Sequence, residues 1–180
     1  MILNYKDCME KYKTPYMLDK AVSVGELFKI ESGIYSDKPY EPEIAVISKK
    51  YPNAIFTLNS AFYYYNLTDT IPEKYYLATE KSAYPIPDKR IVQKFENSAA
   101  FNLGVTTINQ EGVLIKIYNR ERLLLELIRN RNTFSFDYYK EILNNYRNIV
   151  HNLNIQDIQD YAEELPKNKM IMNVLRLEVF

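Results

Sequence analysis

In the first 25 residues the apolar positions recur at helical spacing in two short runs. Cys8, Met9 and Tyr12 share one face of a segment that Asn4 is placed to cap, and Thr14 followed by Pro15 is a start signal for the next segment. There Met17, Leu18, Ala21 and Val22 fall at i, i+1, i+4 and i+5, one apolar stripe that leaves Tyr16, Asp19, Lys20 and Ser23 facing outward. This predicts two short helices joined by a tight turn, the second ending at Gly25. Leu27-Phe28-Lys29-Ile30 and Ile34-Tyr35-Ser36 then flank Glu31-Ser32-Gly33 at hairpin spacing. Helix, turn, helix and hairpin together outline a winged helix-turn-helix over residues 1–38.

Two prolines in Lys38-Pro39-Tyr40-Glu41-Pro42 interrupt any regular element, so the boundary of this unit belongs there and a larger body runs over residues 43–180. Ile44, Val46 and Ile47 lie on a helix ending near Pro52, and Thr57 is placed to cap another in which Leu58, Ala61, Phe62 and Tyr65 recur at helical spacing. Tyr75 to Thr79 is rich in β-formers, and Phe101 to Ile108 with Val113 to Tyr118 flank Asn109-Gln110-Glu111-Gly112 as a hairpin. Arg120 to Arg131 is apolar around most of its circumference and should be the helix packed deepest on the resulting sheet. Helices over about 137–150, 155–165 and 168–178 complete the chain; in the second, Ile155, Ile158, Tyr161, Ala162 and Leu165 form the inner stripe, opposite Asp157, Asp160, Glu163 and Glu164. The expected class is α+β: an N-terminal winged helix-turn-helix plus a larger C-terminal mixed α/β domain with a small sheet and several packed helices.

Composition narrows the functional classes. A chain of 180 residues with 47% hydrophobic and 26% charged residues can bury a core without metals or disulfides. Lys and Arg total 23 and Asp and Glu total 23, so no whole-molecule field attracts nucleic acid, and any such contact must come from a local patch. The single cysteine, Cys8, has no disulfide partner, no apolar stretch is long enough to span a bilayer, and the first residues lack a signal-peptide block; a cytoplasmic setting is expected.

Catalytic chemistry is hard to assemble from these residues. His151 is the only imidazole and sits in a polar stretch typical of an exposed turn, which argues against both a histidine metal cluster and a histidine-based triad. The four glycines at 25, 33, 104 and 112 are scattered, so no phosphate-cradling loop is present. Cys8 reads as a small core residue, and neither a metal nor another cofactor is expected.

The chemistry most compatible with the pattern is DNA binding. The second helix of a helix-turn-helix enters the major groove, and a neighbouring hairpin can lay basic residues along the phosphates. Its readers would be Thr14, Tyr16, Lys20 and Ser23, with Lys13 on the turn and Lys29, Tyr35 and Lys38 on the wing. Residues 1–40 nonetheless carry six lysines against six acids and no arginine, which leaves protein contact as a rival role for this unit. Positive charge is denser further on, where Lys116, Arg120, Arg122, Arg129 and Arg131 would form a basic surface of the C-terminal domain, either merely solvated or holding nucleic acid or an acidic protein.

Tyr5-Lys6 to Gly25 with Leu27 to Ser36 resembles the winged helix-turn-helix of AbiEi-type antitoxins. Leu58-Asn59-Ser60-Ala61, Tyr65-Asn66-Leu67-Thr68-Asp69 and Ile71-Pro72 resemble that family's Ser-Ala helix, Leu-Thr-Asp turn and proline, and Val113 to Tyr118 with Glu121-Arg122 and Leu124-Leu125-Glu126-Leu127 is similar to its strand and Glu-Arg helix. Leu123 and Glu126 depart from the Thr and Asp of that pattern. The resemblance implies a type IV toxin-antitoxin component of abortive infection. Its winged helix would bind operator DNA to repress its own operon, and its C-terminal domain would counter a nucleotidyltransferase-like toxin encoded nearby. The antitoxin itself is not an enzyme in that family. A neutral reading head predicts weak binding per protomer, so operator recognition would call for self-association on DNA. The alternative is a stand-alone winged-helix regulator whose C-terminal domain senses a ligand or protein, with Tyr63 to Tyr65 and Tyr75 to Tyr76 as cavity lining; such a domain would contain a pocket with convergent polar groups.

Overall fold

The computed structural model describes residues 1–179. The chain divides into two compact units, Met1–Asn53 and the remainder from Ala54. Among the described residues there are nine α-helices and two small sheets, a mixed α+β architecture. No helix is long and apolar enough to cross a membrane.

The first unit runs β1 (Ile2–Asn4), α1 (Tyr5–Tyr12), α2 (Pro15–Ser23), β2 (Phe28–Glu31), β3 (Ile34–Ser36) and α3 (Glu43–Lys50). Asn4 begins α1 with a capping box: its side chain accepts from the Asp7 N–H at 2.9 Å, and the Asp7 carboxylate accepts from the Asn4 N–H at 2.9 Å. Thr14 accepts from the Met17 N–H at 3.2 Å, and Pro15 sets the first turn of α2. Each helix buries a narrow line. Cys8, Leu18 and Ala21 join Leu3, Leu27 and Tyr35 in one core, with Met9, Tyr12 and Val22 packed against it. Met17, one position off that line, is 46% exposed.

The hairpin β2–β3 forms antiparallel with a register shift between Lys29 and Glu31. A third strand, β1, pairs with β3 and makes the order β1-β3-β2. Three residues, the last of them the cap of α1, are too few for a period of two to register in the sequence. The helix at Ile44 to Ile47, read as opening the second body, lies in the first unit. It packs on β1 and β3, and its Lys49 and Lys50 form ion pairs with Asp7 and Glu31 at 2.7 Å each.

The second unit contains β4 (Ile55–Phe56), α4 (Leu58–Tyr64), β5 (Tyr75–Glu80), β6 (Ile91–Glu96), α5 (Ser98–Phe101), β7 (Val105–Gln110) and β8 (Val113–Tyr118). The helices α6 (Arg120–Arg129), α7 (Phe136–Ile149), α8 (Ile155–Glu164) and α9 (Asn168–Val174) follow. Its sheet has the order β6-β5-β4-β8-β7. The two-residue β4 is the centre, antiparallel to β5 and parallel to β8, and both of its side chains are buried. The β7–β8 hairpin turns on Glu111 and Gly112 alone, both at positive φ, so its strands run further than the four-residue loop of the sequence pattern. Phe101, expected at the start of a strand, ends α5 instead.

α6 is the deepest helix: Leu123, Leu124, Leu125, Leu127 and Ile128 are fully buried. Two charged residues of the same helix, Arg122 and Glu126, are buried with them. Ile158 and Ala162 of α8 and Leu165 just past its end are buried, whereas Tyr161 is half-buried and Ile155, at the first turn, is 39% exposed.

Candidate functional site

On the first unit, α2 turns Tyr16, Lys20 and Ser23 outward at i, i+4 and i+7, and Tyr16 is 75% exposed. Lys13 sits in the α1–α2 turn at φ 67°, exposed beside the start of α2. Thr14 is also exposed, but its hydroxyl oxygen is occupied as the helix cap; Ser23 donates to the Lys20 carbonyl at 2.8 Å at the opposite end of the helix. Lys29 stands directly across from Tyr35 in the sheet register, with Leu3 next in the same row. Leu3 and Tyr35 belong to the core shared with α2, so exposed Lys29 occupies the free edge of the sheet face that α1 and α2 cover. Lys38 is exposed just beyond β3.

Tyr35 does not belong to this surface. It is 8% exposed and packed in the core, where burial pushes its phenol above the ordinary value. β3 is the central strand of the sheet, hydrogen-bonded along both edges, and all three of its residues are buried.

Ion pairing redistributes the charge of this unit. Asp7 and Glu31 are engaged by Lys49 and Lys50 of α3, and the Lys49 contact holds the Asp7 carboxyl below its usual value. Over Met1–Asn53 eight lysines and eight acids still balance, so the pairing shifts where the charge lies without giving the unit a surplus. Lys13, Lys20, Lys29 and Lys38 have no ion pair among the described residues.

The basic surface expected on the second unit does not form as a whole. Lys116, Arg120 and Arg131 are exposed, with the Arg120 guanidinium 5.0 Å from the centre of the Tyr65 ring. Arg122 is fully buried, and the Arg129 side chain is only 12% exposed. The Arg122 Nε donates to Glu126 at 2.9 Å, its Nη1 donates to the Ala100 carbonyl at 2.7 Å, and its guanidinium lies 4.7 Å from the Tyr118 ring centre. Arg129 donates to Glu126 at 2.8 Å and to Glu96. Both arginines are thus spent on internal carboxylates. Burial, and then the neighbouring Glu126, raise the Glu96 carboxyl above its usual value.

Beside this cluster lies a pocket of about 300 Å³. It is formed by Thr57 and Leu58 at the β4–α4 junction, residues 94–97 at the end of β6, Glu126, Arg129 and Asn130 of α6, and Pro166 and Lys167 before α9. Leu58 at φ 43° and Lys167 at φ 66° are two of the five non-glycine residues with positive φ, and both line this one cavity. The tyrosines expected to line a cavity pack elsewhere: Tyr64 and Tyr75 meet the Phe56 ring edge-on, and Tyr65 stacks with Arg120. No linear signal marks the pocket, because its polar groups come from four separate segments.

Cys8 is buried, where desolvation raises its thiol, and His151 is exposed in a short turn after α7. No protein-family model matches the chain, and no curated protein matches it.

Proposed function

We propose that this chain is an antitoxin-type repressor: the first unit reads operator DNA of its own operon, and the second counters a nucleotidyltransferase-like toxin encoded nearby. The observation that carries the DNA half is the unpaired lysine set, Lys13, Lys20 and Lys29 around exposed Tyr16, on a unit whose nearby acids Asp7 and Glu31 are taken up by α3. A helix with a polar outer stripe followed by a hairpin that carries a lysine on its edge suits a groove reader with a wing on the phosphates. The neutral balance of this unit, eight lysines against eight acids in Met1–Asn53, supports weak binding per protomer, so two heads engage one operator. The antitoxin half rests on the family resemblance of residues 58–72 and 113–127.

The test is binding to a fragment carrying the sequence upstream of this chain's own reading frame, followed by fluorescence anisotropy across a salt series. Lys20→Ala with Lys29→Ala should weaken binding and lower the salt slope by roughly one for each lysine lost. Unchanged affinity and slope would remove the first unit as the reader. Co-expression with a neighbouring nucleotidyltransferase-like protein tests the other half, with restored growth as the expected outcome.

A second reading is favoured by a specific observation. The polar pocket of the second unit is what a ligand-sensing regulator would carry, and the same DNA assay repeated with a bound small molecule separates it from the antitoxin reading.

A further inference from the structure

We propose that the pocket between β4, β6, α6 and the α8–α9 turn is a binding site for a small phosphate-bearing ligand of about nucleotide size. The proposal concerns the second unit alone and holds whether or not the first unit reads DNA.

Thr57 is the observation that points to a ligand. It lines the pocket, and its hydroxyl neither caps α4 nor has a hydrogen-bond partner among the described residues, so it stands open to the cavity. A hydroxyl whose open side is the cavity bonds to whatever fills it, solvent or the oxygen of a ligand. A bound oxyanion would satisfy it.

The charges around the hydroxyl have the right sign. Lys94 lines the pocket without an ion pair among the described residues. The Lys167 ammonium reaches only the Arg129 carbonyl, at 3.5 Å, and is otherwise exposed at the mouth. Asn97, which precedes α5 without capping it, adds an amide. The two carboxylates at the wall, Glu96 and Glu126, are already compensated by Arg122 and Arg129, so they do not cancel the lysines.

The same ion-pair lattice fixes the floor. α6 cannot rotate without breaking contacts among Arg122, Glu126, Arg129 and Glu96, so the wall formed by Glu96, Glu126 and Arg129 is set before a ligand arrives. Phe95, 48% exposed, and Pro166 give one side an apolar surface against which a planar group can lie. A volume of about 300 Å³ lies at the small end of ligand pockets and accommodates a phosphate with a modest organic part.

The experiment uses the full chain, titrated by calorimetry and by amide chemical shifts with three probes: inorganic phosphate, adenosine 5′-monophosphate and adenosine. Saturable binding of the monophosphate, with shifts at Thr57, Lys94, Asn97 and Lys167 and no binding of adenosine, is the expected result. If phosphate competes with the monophosphate, the anion is the recognised group. Lys94→Ala with Lys167→Ala, both surface changes, should weaken binding about tenfold or more. Thr57→Val keeps the side-chain shape, removes a hydroxyl without a partner, and should weaken binding while leaving the thermal midpoint unchanged or higher. The proposal is overturned if neither phosphate probe saturates below roughly 10 mM, if adenosine binds as well as its monophosphate, or if the lysine double variant binds like wild type.

Discussion

Replacing Arg122 by Met should cost more stability than any substitution on the surface of this protein. The guanidinium is fully buried and holds Glu126 through Nε at 2.9 Å, the Ala100 carbonyl through Nη1 at 2.7 Å, and approaches Glu96 at 3.8 Å. Met fills a similar volume, so little of the loss comes from a cavity. What remains is two buried carboxylates facing Arg129 alone. Breaking a buried pair on one side costs about 3–5 kcal/mol, and the carbonyl left without its donor adds about 1 kcal/mol. A total of about 4–6 kcal/mol is comparable to the whole stability of many domains and corresponds to a drop of roughly 10–20 °C in the thermal midpoint.

The assay is thermal and urea unfolding followed by far-UV circular dichroism, since the chain has no Trp. Two further arms isolate the charge. Arg122→Met with Glu126→Leu leaves Glu96 paired with Arg129, and should recover most of the electrostatic loss, about 2–4 kcal/mol. Lowering the pH should also narrow the gap. Burial raises the Glu96 carboxyl above the ordinary 4.5, so its charged form weighs against the folded state above that raised value, and protonation on acidification relieves it. Removing Arg122 deepens that burden, so the deficit of the variant should shrink as pH falls from neutrality toward 4.5. A single variant that loses less than about 1 kcal/mol, or a double variant no better than the single, would refute the view that uncompensated charge dominates here.

Three further expectations follow from the local geometry. Gly104→Ala should destabilise by about 3 kcal/mol, because a Cβ there meets the Arg122 Cβ at 2.6 Å and the Asn119 Oδ1 at 2.7 Å; Gly112→Ala meets nothing within 4 Å and should lose only the roughly 1–2 kcal/mol of its positive φ, which denaturant titration of both variants checks. Asn4→Ala and Thr14→Ala each remove a bonded cap and should lower stability by about 1 kcal/mol in the same titration. The Cys8 thiol is buried and pushed up by desolvation, so its reaction with a disulfide reagent should be on the order of 100-fold slower in the folded protein than in denaturant; equal rates would mean that the first unit opens freely.

The elements that could be read in the sequence were those with a local chemical cause. Asn4, Thr14 and Pro15 fix where two helices start, and the leucines of α6 announce burial all round. The strands β1 and β4 were missed because two or three residues show no alternation, and their pairing comes from segments far along the chain. β6 was missed because Ile91-Val92-Gln93-Lys94-Phe95-Glu96 lies at the sheet edge, where no clean inner face forms. At the site, exposed Lys13, Tyr16, Lys20 and Lys29 follow from helix and hairpin spacing. The burial of Tyr35, Arg122 and Arg129 does not, because it depends on which strand is central and which carboxylates fold against the arginines.

A count of 23 bases against 23 acids therefore becomes informative only once the pairs are known, and the Asp7–Lys49 pair makes this testable. Each side chain is 31% exposed, so the pair itself adds little stability, about 0–1 kcal/mol. Its electrostatic role is larger, because Asp7 lies in the unit proposed to approach DNA, where an uncompensated acid acts over roughly 8 Å at physiological salt. Lys49→Gln alone exposes that acid and should weaken operator binding at low salt. Asp7→Asn with Lys49→Gln removes both charges, keeps an acceptor for the α1 cap, and should restore wild-type affinity. Restoration would show that α3 serves the reading head by neutralising its acids from within the same unit. A double variant as weak as the single would show instead that Lys49 touches the phosphates itself, and the reading face would then have to be redrawn around α3.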